Sequence, residues 1–316
     1  MVTIGVDLGG TNIVVGVVDE NYRIVASVKC KTQAQRQADE IVADMVRLCR
    51  EAVQKAGITM DEVSSIGVGV PGACNAETGV VEYTANLPFI NLPLCQRMNE
   101  QLGKPIYIGN DANAAALGEM KAGCAQGANS CICVTLGTGV GGGIVLDGKL
   151  YDGSNYHGGE IGHTVIIRGG ELCGCGRHGC LEAYASATAL VRQTKAAMQA
   201  HPNSALWSLA GSLDQVNGKT AFDGMRAGDA VAKTVVDTYI AYVAEGVTNM
   251  VNIFQPDVLC IGGGISKEGE TLMKPLREFV ERERYSRYSN RQTKICVAQL
   301  GNDAGVIGAA CLGELS

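Results

Sequence analysis

The segment His163–Glu182, HTVIIRGGELCGCGRHGCLE, gathers one imidazole and three thiols, His163, Cys173, Cys175 and Cys180, in one short excursion of chain. Imidazole and thiolate are the ligand types Zn²⁺ favours, and four of them complete a tetrahedral site with no open position for a catalytic water. Glycines interleave the four residues and let the chain wrap a small ion without Cβ clashes. A disulfide is the competing use: Cys173 and Cys175 lie too close in sequence to pair well, but either could pair with Cys180. The neighbouring histidine and the glycine content favour a structural metal. Glu160 and Glu182 flank the module, where carboxylates suit vicinal hydroxyls of a polyol. The alternatives are solvated surface charge and, for Glu182, a favourable place in the first turn of a helix.

Three glycine-rich turns follow apolar runs: DLGGT (7–11), LGTGVGGG (136–143) and IGGGIS (261–266). Without Cβ atoms, successive backbone N–H groups and threonine hydroxyls can cradle an anion. Any one of these turns could be an ordinary hairpin, whereas the three together point to a polyphosphate site between two halves of the chain. None matches a P-loop or a strand–helix GxGxxG. Asn110 and Asp111 end the apolar run PIYIGND and open an alanine-rich segment, where open α/β sheets bind ligands. Asp111 is either an N-cap or a general base for an alcohol nucleophile. Asp7 is placed to orient Mg²⁺ or a water of its shell, or to support its turn.

The elements that must carry these groups alternate in an α/β pattern. Residues 2–8, 12–19 and 24–31 read as an antiparallel meander, 38–56 as an amphipathic helix closed by Gly57, and 66–72 and 105–111 as buried strands. From Cys131 the pattern restarts: ICVTLGTGVGGGIVLDG (132–148) aligns without a gap under IGVDLGGTNIVVGVVDE (4–20). Helices are expected at 182–200, 229–254 and 268–284, a strand at 295–300, and a last helix capped by Asn302. The pattern restart divides the chain into an N-terminal domain, 1–118, rejoined by the helix 302–316, and a larger C-terminal domain, 119–301.

A net charge of −6 offers no basic face for nucleic acid or an anionic membrane, so any anionic ligand must be held by local groups. Several of the 13 cysteines lie in strand-like runs and read as core thiols. No apolar run approaches a membrane span, no signal-like segment precedes the first strand, and a cytoplasmic, reduced protein is expected.

In order, the motifs DLGGTN, GVPG, GNDANAAALGE, LGTGVGGG, HGGEIGH, CGCGRHGCLE and IGGGIS resemble the ROK family of bacterial sugar kinases and sugar-responsive repressors, within the actin-like ATPase superfamily. The resemblance runs from Gly5 to about Ala310. It implies two ribonuclease-H-like α/β domains with an interdomain cleft and a zinc-stapled loop. It also implies Asp111 as catalytic base, and Gly72, Asn110, Asp111, Glu160, His163 and Glu182 about the sugar, with His163 also ligating zinc beside Cys173, Cys175 and Cys180. Asp7, Gly9, Gly10 and Thr11 match the first phosphate segment, Thr138 and Gly139 the second, and Gly263 and Gly264 the adenosine segment. ATP, transient Mg²⁺ and structural Zn²⁺ are the cofactors so implied, a hexose is the substrate, and a homodimer or homotetramer is expected. The repressors carry a helix-turn-helix ahead of DLGGT, and here Asp7 leaves no room for one, which favours the kinase branch. CLEAYASATAL and NLPFINLPL are most similar to the glucokinase branch, and thus to phosphorylation of D-glucose at its 6-hydroxyl. Fructose, allose and the N-acetylmannosamine and N-acetylglucosamine branches share every catalytic motif, and a non-catalytic sugar sensor is the competing class.

Overall fold

The computed structural model describes residues 1–315, the side chain of Leu315 apart. The meander forms as expected: β1 (Val2–Leu8), β2 (Asn12–Val18) and β3 (Ile24–Lys31) pair antiparallel. Helix α1 (Ala38–Ala56) buries Ile41, Met45, Leu48 and Ala52, spaced at three and four, and ends where Gly57 turns left-handed at φ 71°. Strand β4 (Val63–Val70) runs parallel to β1. Beyond Pro71 comes a feature the sequence reading did not anticipate, a small antiparallel sheet of β5 (Gly72–Asn75), β6 (Val80–Thr84) and β7 (Ile90–Leu92). Helix α2 (Leu94–Leu102) leads into β8 (Ile106–Asn110), which completes the sheet β3-β2-β1-β4-β8 and passes directly into α3 (Asp111–Ala122).

The second sheet has the order β11-β10-β9-β12-β13, from β9 (Cys131–Leu136), β10 (Val140–Leu146), β11 (Lys149–Leu150), β12 (Val258–Gly262) and β13 (Lys294–Val297). Between β11 and β12 lie α4 (Glu182–Ala185), α5 (Ala187–Ala200), α6 (Leu206–Ala210), α7 (Thr220–Arg226) and α8 (Ala230–Phe254). Helix α9 (Glu270–Glu283) separates β12 from β13, and α10 (Ala304–Ala310) follows it.

Three expectations need correcting. The helix foreseen at 182–200 is broken at Ser186, whose extended backbone and hydroxyl, accepting the N–H of Ala189 at 3.0 Å, cap α5. Strand β13 stops at Val297 rather than 300, because Gln299 and Leu300 give their N–H groups to the carboxylate of Glu119. Asn302 does not cap the last helix; it lies within a 3₁₀ turn, Gly301–Asp303, that leads into α10.

The chain forms two compact units. The first comprises 1–133, 143–159 and the residues from Ala298 on, and the second 134–142 and 160–297. This differs from the boundary expected at 118/119. Residues 143–159 stay with the first unit because β10 lies tight on α3: a Cβ on Gly143 would fall 2.2 Å from the carbonyl oxygen of Ala112. Within the first unit α10 lies directly on the sheet. A Cβ on Gly5 or Gly67, on neighbouring strands, would stand 1.8 or 1.7 Å from a carbonyl oxygen of α10, so only glycine permits that approach. Among the described residues no helix is long and apolar enough to cross a membrane.

Candidate active site

In the first unit, the parallel strands β1, β4 and β8 end together, in register, at Asp7, Gly69–Val70 and Asn110. Asn110 rather than Asp111 is the N-cap of α3: its Oδ1 accepts the N–H groups of Ala112 at 2.9 Å and Asn113 at 3.2 Å. Its Nδ2 donates to the carbonyl of Gly72 at 3.3 Å, which ties the strand end to β5. A side chain at Gly72 is excluded, because a Cβ would meet the carbonyl oxygen of Tyr83 at 2.3 Å. With the cap supplied by its neighbour, Asp111 opens the helix, half-buried, and one carboxylate oxygen accepts the N–H of Ala112 at 2.9 Å.

Asp7 ends β1 beside the first glycine turn. Its carboxyl abuts α10, where a Cβ on Gly305 would come within 2.8 Å of it, and burial pushes its pKa up to about 6. The turn itself is fixed by Gly9, whose N–H reaches the carbonyl of Asn12 at 2.9 Å and whose carbonyl accepts the Thr32 hydroxyl at 2.6 Å. Gly10 and Thr11 stand exposed at its tip.

In the second unit, the turn between β9 and β10 is closed by the N–H of Gly137 on the carbonyl of Gly139 at 3.0 Å. The Thr188 hydroxyl holds the Thr138 carbonyl at 2.8 Å. The third turn leaves β12 with Gly263 at φ 84°, where a Cβ would strike the carbonyl oxygen of Leu136 at 2.4 Å, so no other residue fits.

The ligand atoms of His163, Cys173, Cys175 and Cys180 all lie within 4.8 Å of one another. Cys173 Sγ is 3.6 Å from His163 Nδ1, and Cys175 Sγ is 3.7 Å from Cys180 Sγ. These four residues form a group able to hold a metal ion, and the disulfide alternative is not what the structure shows: Cys173, Cys175 and Cys180 are in no disulfide. Burial raises the Cys173 thiol to about 12 and also raises Cys180, while the backbone N–H of Arg177 lowers Cys175. Glu160 lies 4.0 Å from His163 Nε2, beyond hydrogen-bond reach, on the opposite edge of the ring from the Nδ1 that faces Cys173.

Glu182 is more engaged than its expected sugar contact suggests. Its Oε2 accepts the N–H of Val140 at 3.0 Å, and its Oε1 receives the Cys173 thiol at 3.5 Å. Lone pairs remain on both oxygens for a further donor. Behind the module, Leu181 packs over Gly246 of α8, the Tyr184 and Tyr242 rings meet tilted at 49° with centroids 4.7 Å apart, and the Tyr239 hydroxyl donates to the Ala185 carbonyl at 2.7 Å. These contacts seat α4, and with it Glu182, on the longest helix. Asn113 and Asp152 are polar partners that sequence reasoning missed: Asn113 Nδ2 donates to Asp152 at 2.6 Å across 39 residues of chain.

Comparison with known proteins agrees with this geometry. The model of the ROK family matches residues 3–314. A glucokinase of Thermotoga maritima is 36% identical over 310 residues, 98% of this chain and 96% of that protein. A ROK family glucokinase of Streptomyces griseus, solved in complex with glucose and AMPPNP, superposes with a TM-score of 0.81 at 37% identity, covering 99% of both chains. A ROK hexokinase of Thermus thermophilus superposes at 0.82 with 33% identity, covering 99% of this chain and 98% of that one.

Proposed function

The chain belongs to the ROK family, and from that premise we propose that this sugar kinase transfers the γ-phosphoryl group of ATP to the 6-hydroxyl of a hexose, D-glucose first among them. The observation that carries the reading is Asp111: a half-buried carboxylate at the open end of a parallel strand, relieved of capping its own helix by Asn110. A strand-end carboxylate so placed is positioned to take a proton. The kinship with glucokinases and with a glucose and AMPPNP complex supports the choice of sugar and nucleotide.

In the reaction so read, Asp111 accepts the proton of the hydroxyl as its oxygen bonds to the γ-phosphorus and the bond to ADP breaks. Asn110, Glu160, His163 and Glu182 bind the remaining hydroxyls, and the backbone at Gly72 lies along the sugar. Gly9, Gly10 and Thr11 bind phosphate at the first turn, Thr138 and Gly139 at the second, and Gly263 with Gly264 receives the adenosine. Asp7, a largely buried oxygen donor beside the first turn, would hold the shell of a Mg²⁺ accompanying the nucleotide, and the ion would supply neutralisation of charge on the transferring group.

We assign the metal to Zn²⁺. With Zn–S about 2.3 Å, the edge between two sulfurs of a tetrahedron is about 3.8 Å, which the Cys175–Cys180 separation of 3.7 Å fits, and the shorter Zn–N bond suits the 3.6 Å between His163 Nδ1 and Cys173 Sγ. Four protein ligands leave the ion no place for water, so its role is to hold His163 and its neighbours in place.

The test is a coupled ATP-consumption assay across glucose, mannose, fructose, allose and the two N-acetylhexosamines. Glucose should show the highest kcat/KM. An N-acetylhexosamine exceeding it tenfold, about 1.4 kcal/mol of transition-state preference, would end the glucose assignment and leave the kinase. ATP consumption with none of these sugars would end the kinase reading as well.

A further inference from the structure

The first turn of α3 is held by Asn113, inside the motif that carries it, and by Asp152, 39 residues beyond. Asn113 is 2% exposed and sits one half-turn beyond Asp111. Its backbone N–H goes to Asn110 Oδ1, its own Oδ1 accepts the N–H of Ile144 on β10 at 3.3 Å, and its Nδ2 donates to Asp152 Oδ1 at 2.6 Å. A short bond to a carboxylate is of the stronger kind. Asp152 is itself fixed, because the loop that follows closes on it: the N–H of Gly158 reaches its carbonyl at 2.7 Å. Asp152 also lines a cavity of about 260 Å³ beside β8, with Tyr107, Lys149 and Leu312.

We propose that Asp152 and Asn113 form a positioning pair for the general base, in which Asp152 locks the Asn113 carboxamide and Asn113 clamps the first turn of α3 to β10, so setting the direction of the Asp111 carboxylate. The pair touches no reacting atom; it acts through the helix start. The proposal rests on the reading of Asp111 given above. A carboxamide has two ends, and the Ile144 N–H can be met only if the oxygen faces β10 and the nitrogen faces away. Asp152 supplies the acceptor that makes this orientation the stable one. Without it, the amide can rotate, and Asp111, which must lie within hydrogen-bond reach of the hydroxyl it deprotonates, loses its alignment.

Steady-state kinetics of the full chain with ATP and its best sugar test this. Asp152→Ala should lower kcat roughly tenfold to hundredfold and leave KM for ATP within about threefold. Asp152→Asn, whose amide oxygen can accept the same N–H, should recover most of the loss. Formate, small enough to enter the cavity, should raise kcat of Asp152→Ala and leave that of the unaltered enzyme unchanged. Should Asp152→Ala fold poorly, an exchange keeps the question open: Asn113→Asp alone sets two carboxylates face to face and should be slow, whereas Asn113→Asp with Asp152→Asn restores one donor and one acceptor and should be fast. Wild-type kcat in Asp152→Ala, or an exchange no faster than Asn113→Asp alone, overturns the pair. If Asp111→Asn keeps full turnover, the base itself is misassigned and the pair falls with it; if Asp111→Asn is inactive while the Asp152 variants run at full speed, only the pair fails.

Discussion

The carboxylate of Glu182 accepts the backbone N–H of Val140 at 3.0 Å while its other oxygen faces the thiol of Cys173 at 3.5 Å. One side chain thus links a ligand of the metal group to the glycine turn proposed to bind phosphate, and no Cβ could stand at Gly139, 2.3 Å from that carboxylate. Glu182→Ala would leave the Val140 N–H without its acceptor and loosen the turn. We expect kcat/KM to fall roughly hundredfold, with KM rising for both sugar and ATP, since a lost bond to a charged acceptor costs about 1.5–3 kcal/mol. An increase confined to the sugar KM would deny the link to the turn.

Removal of the metal should act on stability and sugar affinity together. Cys175→Ala opens the tetrahedron at its most exposed corner, and chelation does the same without mutation. Both should lower the melting temperature and raise the sugar KM, with kcat changed least, because a closed site activates no water. Fresh protein should carry about one zinc per chain by elemental analysis; protein without zinc that retains the unaltered sugar KM would defeat the assignment.

Asp7 carries a pH signature. Its carboxyl titrates near 3.8 when unfolded and at about 6 when folded, raised by burial. Between these values the folded chain keeps a proton that the unfolded chain has released, so stability falls as pH rises through about 4 to 6 and stays lower above it. The gap corresponds to roughly 3 kcal/mol. Asp7→Asn should therefore raise the melting temperature at pH 8 and leave it nearly unchanged at pH 4, while impairing catalysis through loss of the Mg²⁺ partner. A melting difference that does not vary with pH would refute the linkage.

Glu119 is the buried pin of the first unit. It is 0% exposed and accepts three backbone N–H groups, from Cys124 at 3.0 Å, Gln299 at 3.1 Å and Leu300 at 2.8 Å. Burial raises its pKa, and those three bonds oppose the rise. Glu119→Ala strands three donors and should cost on the order of 3 kcal/mol, seen as a lower denaturation midpoint. An unchanged midpoint would remove the pin.

The metal group could be read from sequence because its four residues lie within one glycine-rich excursion, so chain reach alone brings their ligand atoms within 4.8 Å. The β1–β2 hairpin was legible for a similar reason: two runs rich in Val and Ile are joined by the short Gly-Gly-Thr turn, and the structure pairs them antiparallel. Contacts across long separations left no such mark. Asn113 meets Asp152 39 residues away, and Glu119 meets Leu300 181 residues away, and neither pairing leaves a periodicity behind. Which of two adjacent residues caps α3 was not legible, because both Asn and Asp are good caps and only the backbone decides: Asn110 is extended at φ −63°, ψ 144°, and Asp111 is already helical. Ser186 escaped notice because alanines on both sides continue the helical composition through it.

The central claim, that Asp111 is the base of a sugar kinase, is tested most directly by Asp111→Asn assayed for turnover and for glucose binding on the same preparation. The amide keeps the size of the side chain and can still accept the Ala112 N–H, but it cannot take the hydroxyl proton. The account predicts glucose affinity within about tenfold of the unaltered enzyme and kcat lower by roughly 10³ or more. Turnover close to the unaltered value, with glucose bound, would contradict it.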